Sequence, residues 1–131
     1  MNPVVHFEMP GDDIERMKKF YAEAFGWKMI QYGPEFGGYV MAQTDETDEK
    51  GMLKETNRIN GGFYKKTPEQ AGHHPSVVIA VDDINAAIEK VKAAGGTISD
   101  NPMEIPTIGT YAAFIDTEGN RVGMLQPSQQ M

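Results

Sequence analysis

Apolar and polar residues alternate along Pro3 to Pro10, so Val5, Phe7 and Met9 share one side of an extended segment while His6 and Glu8 share the other. After Asp12 and Asp13 the period changes. Ile14, Met17, Phe20, Tyr21, Ala24 and Phe25 recur every three or four residues, which predicts a helix with one apolar stripe. One of the two aspartates caps it, because a carboxylate there can accept the orphan N–H groups of the first turn. Gly26 is its natural left-handed stop. Trp27–Tyr32, Tyr39–Gln43 and Ile59–Lys65 read as strands, punctuated by Gly33-Pro34, by Gly37-Gly38 and by the polar loop Thr44–Lys50, whereas Met52–Arg58 is ambiguous.

The pattern then starts again. Ser76–Gly96 matches His6–Gly26 at a constant offset of 70 residues, with Ser76 on His6, Asp82-Asp83-Ile84 on Asp12-Asp13-Ile14 and Gly96 on Gly26. It predicts a strand over Val77–Val81, a cap at Asp82 or Asp83, and a helix burying Ile84, Ala87, Ile88, Val91 and Ala94 that Gly95-Gly96 ends. Thr97–Ser99 follows as a short strand and Asn101–Gly109 as a turn. Thr110–Ile115 is a strand, and the hairpin turn Asp116–Asn120 leads into the closing strand Arg121–Gln126. Gly38-Tyr39-Val40-Met41 also pairs with Thr110-Tyr111-Ala112-Ala113. Each half is therefore strand, helix, then three strands. The expectation is an α+β single domain of two βαβββ modules, residues 1–65 and 76–131, joined by the surface linker 66–75. Their strands should form a curved, antiparallel-rich mixed sheet around a shared cavity, with the helices outside.

Composition removes whole classes of function. The chain has 131 residues, 40% hydrophobic and 24% charged, ordinary for a globular protein rather than a disordered one. It has no cysteine, which excludes disulfides, thiolate metal sites and a cysteine nucleophile, and fits a cytoplasmic location. With no long apolar run, neither a membrane span nor a membrane partner is expected, nor a signal peptide. A net charge of −7 argues against a nucleic-acid partner, whose phosphates demand a basic surface. No G-x-S-x-G elbow or phosphate-cradling glycine loop occurs.

Three stretches, His6 with DDIERMKKFYAEAFGW, VVIAVDDINAAIEKVKAAGG and IPTIGTYAAFIDTEGNRVGMLQP, together resemble the vicinal oxygen chelate superfamily over nearly the whole chain. That superfamily comprises glyoxalases, bleomycin-resistance proteins and extradiol dioxygenases, and the closing stretch looks most like a glyoxalase-related branch. In its metal-dependent members, four inward-facing positions, on the first and last strand of each module, hold a divalent ion. The resemblance carries these positions onto His6, Gly62, Ser76 and Gly123. Glycine supplies no side chain, and one imidazole with one hydroxyl falls short of the three or four N or O donors such an ion wants. The inherited metal site therefore reads as dismantled, and no cofactor is expected. The resemblance further implies a homodimer.

The remaining candidates are weighed against plainer roles. His6 is a general base or hydrogen-bonding group in the cavity, with a neutral histidine on a sheet face as its plainer role. Glu8, on the same face, could orient it or hold a basic ligand. His73 and His74, adjacent in the linker, point apart in extended backbone and make a poor chelating pair. Phe36, Tyr39, Met41, Phe63, Ser76, Tyr111, Phe114 and Met124 are the expected ligand-binding lining, with Ile105 and Ile108 at its rim, although alternation requires about half of the strand residues to be core. Gly62 and Gly123 would leave bare backbone for an organic ligand.

These readings lead to a glyoxalase-like small-molecule-binding protein that sequesters or recognises an apolar or aromatic ligand. The alternative is a metal-dependent lyase, isomerase or dioxygenase using His6, in which case a divalent ion is the cofactor. A variant of it keeps His6 and Glu8 as a metal-free acid–base pair. A third reading is an accessory domain with a self-filled interior.

Overall fold

The computed structural model describes residues 1–33, 38–49, 57–70, 73–106 and 108–128. Its elements are β1 (Val4–Gly11), α1 (Ile14–Phe25), β2 (Lys28–Gln31), β3 (Val40–Gln43), β4 (Asn60–Lys65), β5 (Ser76–Ala80), α2 (Ile84–Ala93), β6 (Thr97–Ile105), β7 (Gly109–Ile115) and β8 (Arg121–Pro127), with a 3-10 turn, Pro68–Gln70, in the linker. The α+β class and the doubled βαβββ order are those the repeat implies. Two compact units result. His6–Pro75 is module one, and Met1–Val5 with Ser76–Met131 is module two. The amide of Ala80 donates to the carbonyl of Pro3 at 2.9 Å, which ties the first residues of the chain to the second unit.

The same local chemistry builds both helices. Asp13 caps α1 by accepting the Arg16 amide at 3.0 Å, and Gly26 ends it at φ 74°, in the left-handed region glycine favours. Asp83 caps α2 by accepting two amides, from Asn85 at 3.0 Å and Ala86 at 3.1 Å. In each case it is the second aspartate of the pair that caps.

Module one arranges its strands β2-β3-β4-β1, with β1 parallel to β4 and the other pairs antiparallel. Val40, Ala42 and Phe63 are fully buried against Met9, Ile14, Met17, Tyr21, Trp27 and Met29, on the side that α1 covers. Burying the side chains of Val40 and Phe63 contributes about 1.5–3 kcal/mol each. The stripe on α1 is wider than its contact with the sheet. Phe20 and Phe25 are respectively 57% and 64% exposed and lie outside that cluster. Gly61 lets β4 approach closely here, since a Cβ on it would overlap the ring of Phe7.

Module two repeats the order as β5-β8-β7-β6, with β5 parallel to β8. Val81, Ile84, Ile88, Ala112 and Met124 form its core, with Ile79, Ala87, Val91, Ile98 and Phe114 packed around them. One element differs from expectation. The strand after α2 runs from Thr97 to Ile105 rather than stopping at Ser99, so most of the expected turn is strand. Pro102 is tolerated because β6 is the outermost strand of this order and its register shifts between Asp100 and Met103. The hairpin turn after β7 is held by Asp116, whose carboxylate accepts the amides of Glu118 at 2.8 Å and Asn120 at 2.9 Å.

Candidate functional site

Register decides which side chains meet. In module one Glu8 pairs with Gly62 across the parallel β1–β4 ladder, and Met41 pairs with Gly62 across the antiparallel one. Alternation then places His6, Glu8, Met41 and Tyr64 on the face of Gly62, away from α1, and Phe7, Val40 and Phe63 on the helix side.

Tyr39, just before β3, uses the room that Gly62 leaves. A Cβ on Gly62 would overlap the Tyr39 hydroxyl outright. That hydroxyl shares a hydrogen bond with His6 Nε2 at 3.0 Å. Burial lowers the His6 pKa to about 4, so the imidazole is neutral at pH 7. Burial, reinforced by the nearby Glu8, Tyr32 and Tyr64, pushes the Tyr39 hydroxyl well above the usual phenol value. The pair is thus an uncharged imidazole with an uncharged phenol. Glu8 is buried beside it, only 8% exposed. The ring of Tyr32 stacks on that of Tyr39 with centroids 6.1 Å apart. On the same strand as Gly62, the Tyr64 hydroxyl shares a 2.9 Å hydrogen bond with His73 Nδ1.

Module two carries the same device with a different opening residue. A Cβ on Gly123 would stand 2.7 Å from the Tyr111 hydroxyl and 2.8 Å from its Cε1. Gly123 pairs with Val78, and Ser76, two residues earlier, shares that face. The Ser76 hydroxyl oxygen is buried and has no hydrogen-bond partner among the described residues.

The structure therefore sorts the candidates. His6, Glu8, Tyr39 and Met41 share one face of module one, and Ser76 and Tyr111 share one face of module two. Phe63, Phe114 and Met124 do not belong with them. Each stands next in sequence to, or in odd register from, a residue of that face, and each packs on the helix side as core. Gly62 and Gly123 do not present bare backbone, because a tyrosine of the same module lies over each. Phe36 falls outside the described residues. Tyr32, Tyr64 and His73 were not singled out as site residues by sequence. Tyr64 had a signal, since it lies two residues beyond Gly62 on one strand, but nothing along the chain connects it to His73. Ile105 and Ile108 are joined by a 3.0 Å hydrogen bond, the Ile108 amide donating to the Ile105 carbonyl. Among the described residues, no three His, Cys, Asp or Glu side chains converge.

Each module of this doubled βαβββ fold sets a tyrosine over a last-strand glycine. The family model described as the Glyoxalase/Bleomycin resistance protein/Dioxygenase superfamily matches residues 4–124, and the chain belongs to that superfamily. Among its relatives, a glyoxylase-like domain-containing protein of Didymella fabae is 32% identical over 114 residues, covering 86% of this chain and 84% of that protein. A lactoylglutathione lyase of Haemophilus influenzae is 26% identical over 126 residues, covering 94% and 91% respectively. Several other curated relatives are longer proteins, of which the chain spans between 30% and 42%. A solved methylmalonyl-CoA epimerase of Streptomyces coelicolor has the same fold, with a TM-score of 0.69 at 14% identity over 98% of this chain and 96% of that one.

Proposed function

We propose that the protein binds a small, apolar or aromatic organic molecule through the face of module one that carries His6 and Tyr39, without a metal ion. One observation carries this reading: the space over Gly62 is taken by the Tyr39 hydroxyl, which also engages His6 Nε2. A divalent ion wants three or four nitrogen or oxygen donors. The positions that the superfamily uses offer here one imidazole already hydrogen-bonded, one serine hydroxyl and two glycines covered by phenols. That donor set does not fit an ion. What remains suits an organic ligand: Met41 and the rings of Tyr32 and Tyr39 give apolar and stacking surface, and the neutral His6–Tyr39 pair gives directional hydrogen bonding. Within the same proposal the protein works as a cytoplasmic homodimer that recognises or sequesters its ligand, with neither nucleic acid nor membrane as partner.

Dialysis against Zn²⁺, Ni²⁺, Mn²⁺ or Fe²⁺, followed by elemental analysis, tests it. The expected result is no stoichiometric metal. Tight, stoichiometric binding that His6→Ala abolishes would overturn the reading.

The names of relatives such as the lactoylglutathione lyase favour a second reading, a lyase, isomerase or dioxygenase working through His6. It requires turnover of a glutathione hemithioacetal or a catechol by the purified protein. Activity that chelators abolish would make it metal-dependent. Activity indifferent to chelators would point instead to His6 and Glu8 as a metal-free acid–base pair.

A further inference from the structure

Two aromatic side chains of α1 stand in water where the fold does not require them. Phe20 and Phe25 are both more than half exposed, and their rings meet edge to face with centroids 6.4 Å apart, while Phe20 also meets Tyr21 at 5.0 Å. The repeat supplies the control. At the constant offset of 70 residues, α2 is followed or lined at these positions by exposed Lys90 in place of Phe20 and exposed Gly95 in place of Phe25. The equivalent helix on an equivalent four-stranded arrangement is thus ordinary solvated surface in module two and apolar in module one. None of the residues of α1 is fully buried, whereas α2 buries Ile84 and Ile88. An aromatic side chain carries about 150–250 Å² of surface, so the two rings leave roughly 200 Å² unburied, about a quarter of one partner's share of a standard interface. Aromatic residues are enriched at the centre of protein interfaces.

The charges around the patch choose the occupant. The chain carries −7 overall, so most of its surface repels a second copy. Along α1 the signs are ordered differently. Arg16, Phe20 and Glu23 follow at spacings of four and three and share one side of the helix, with the cation toward its start and the anion toward its end. Among the described residues no acid pairs with the Arg16 side chain, and Glu23 meets Lys19 at 3.9 Å on an exposed surface, where such a pair contributes little. A side with this polarity complements itself when reversed. A twofold axis passing between Lys19 and Phe20 sets Arg16 against Glu23 of the partner subunit and Glu23 against Arg16 of the partner subunit, with Phe20 at the centre. Such a closed contact covers the patch on both copies at once.

We propose that α1 is the interface between two copies of this chain, packed antiparallel across Phe20 with Arg16 and Glu23 paired on either side. This rests on the homodimer of the functional reading and gives it a surface, on the helix side of module one rather than on the face of His6 and Tyr39.

Sedimentation velocity of the full chain across the micromolar range tests it, in wild type, Phe20→Lys, Arg16→Glu and Glu23→Arg. All three positions are exposed, and circular dichroism checks that each variant is folded. The expected result is a wild-type dimer whose association is weakened about tenfold or more in each variant. Mixing Arg16→Glu with Glu23→Arg in equal amounts should restore the dimer, because each then offers the other an opposite charge at both contacts. Three results overturn the proposal. If wild type dimerises and no substitution weakens it, the homodimer stands on another surface. If Phe20→Lys dissociates the dimer but the mixture does not restore it, α1 does not pack in this antiparallel register. If wild type stays monomeric throughout, the homodimer of the functional reading fails as well, and the patch belongs to a partner of different sequence.

Discussion

His6 has the most direct consequence for pH. Its folded value of about 4 lies below the ordinary 6.5 because burial disfavours the charged ring. The unfolded chain therefore takes up the proton first as the solution is acidified. Stability from this residue is fully present above pH 6.5 and is lost as the pH falls from there through 4, on the order of 3 kcal/mol in all. Denaturant unfolding at steps between pH 7.5 and 4.5 should show that slope in wild type and its absence in His6→Gln. Gly62 makes the second prediction at this scale. Gly62→Ala has to expel the Tyr39 hydroxyl and break its bond to His6, so it should destabilise by about 1–3 kcal/mol, measured by urea unfolding. Chemistry at these positions was only half legible in the sequence. His6, Glu8 and Tyr39 stand out by type and place, yet Phe63 and Met124 were grouped with a face they cannot share, because each directly follows a glycine of that face. Alternation counted from the glycines separates them. The reach of Tyr39 to His6, 33 positions apart, has no trace along the chain.

Among the elements, the helices were the most legible, because caps and periodicity agree. Both caps are aspartates, but Asp83 accepts two amides and Asp13 one. Asp83→Ala should therefore destabilise more than Asp13→Ala, each by about 1 kcal/mol. Thermal melts followed by far-ultraviolet circular dichroism rank them, and an equal effect would mean that the second bond to Asp83 adds nothing. The strand β6 was the least legible element. Pro102 signals a turn in sequence, but on an outermost strand its missing N–H faces no ladder partner, and the register shift around it absorbs the misfit. The widest part of the α1 stripe was misjudged for a related reason. Periodicity reports which side chains share a side, not how much of that side a four-stranded sheet covers, and Phe20 and Phe25 stay exposed.

For the molecule as a whole, the charge of −7 sets an expectation that reaches beyond any single site. Fluorescence anisotropy of a labelled DNA duplex should not change on addition of protein at about 0.1 M salt, since nothing in the balance of charge favours release of counterions from phosphate. A rise that salt abolishes would contradict it. The tyrosine set over a glycine, present in both modules, also governs how this chain can change over generations. Tyr39 and Gly62 occupy one volume between them, as Tyr111 and Gly123 nearly do. A survey that replaces one residue at a time would score both members of each pair as immovable. Replacing Gly62 and Tyr39 together should be tolerated better than the two single changes suggest, a strong positive epistasis. Any descendant that regains a side chain at position 62 would then have to lose its tyrosine first.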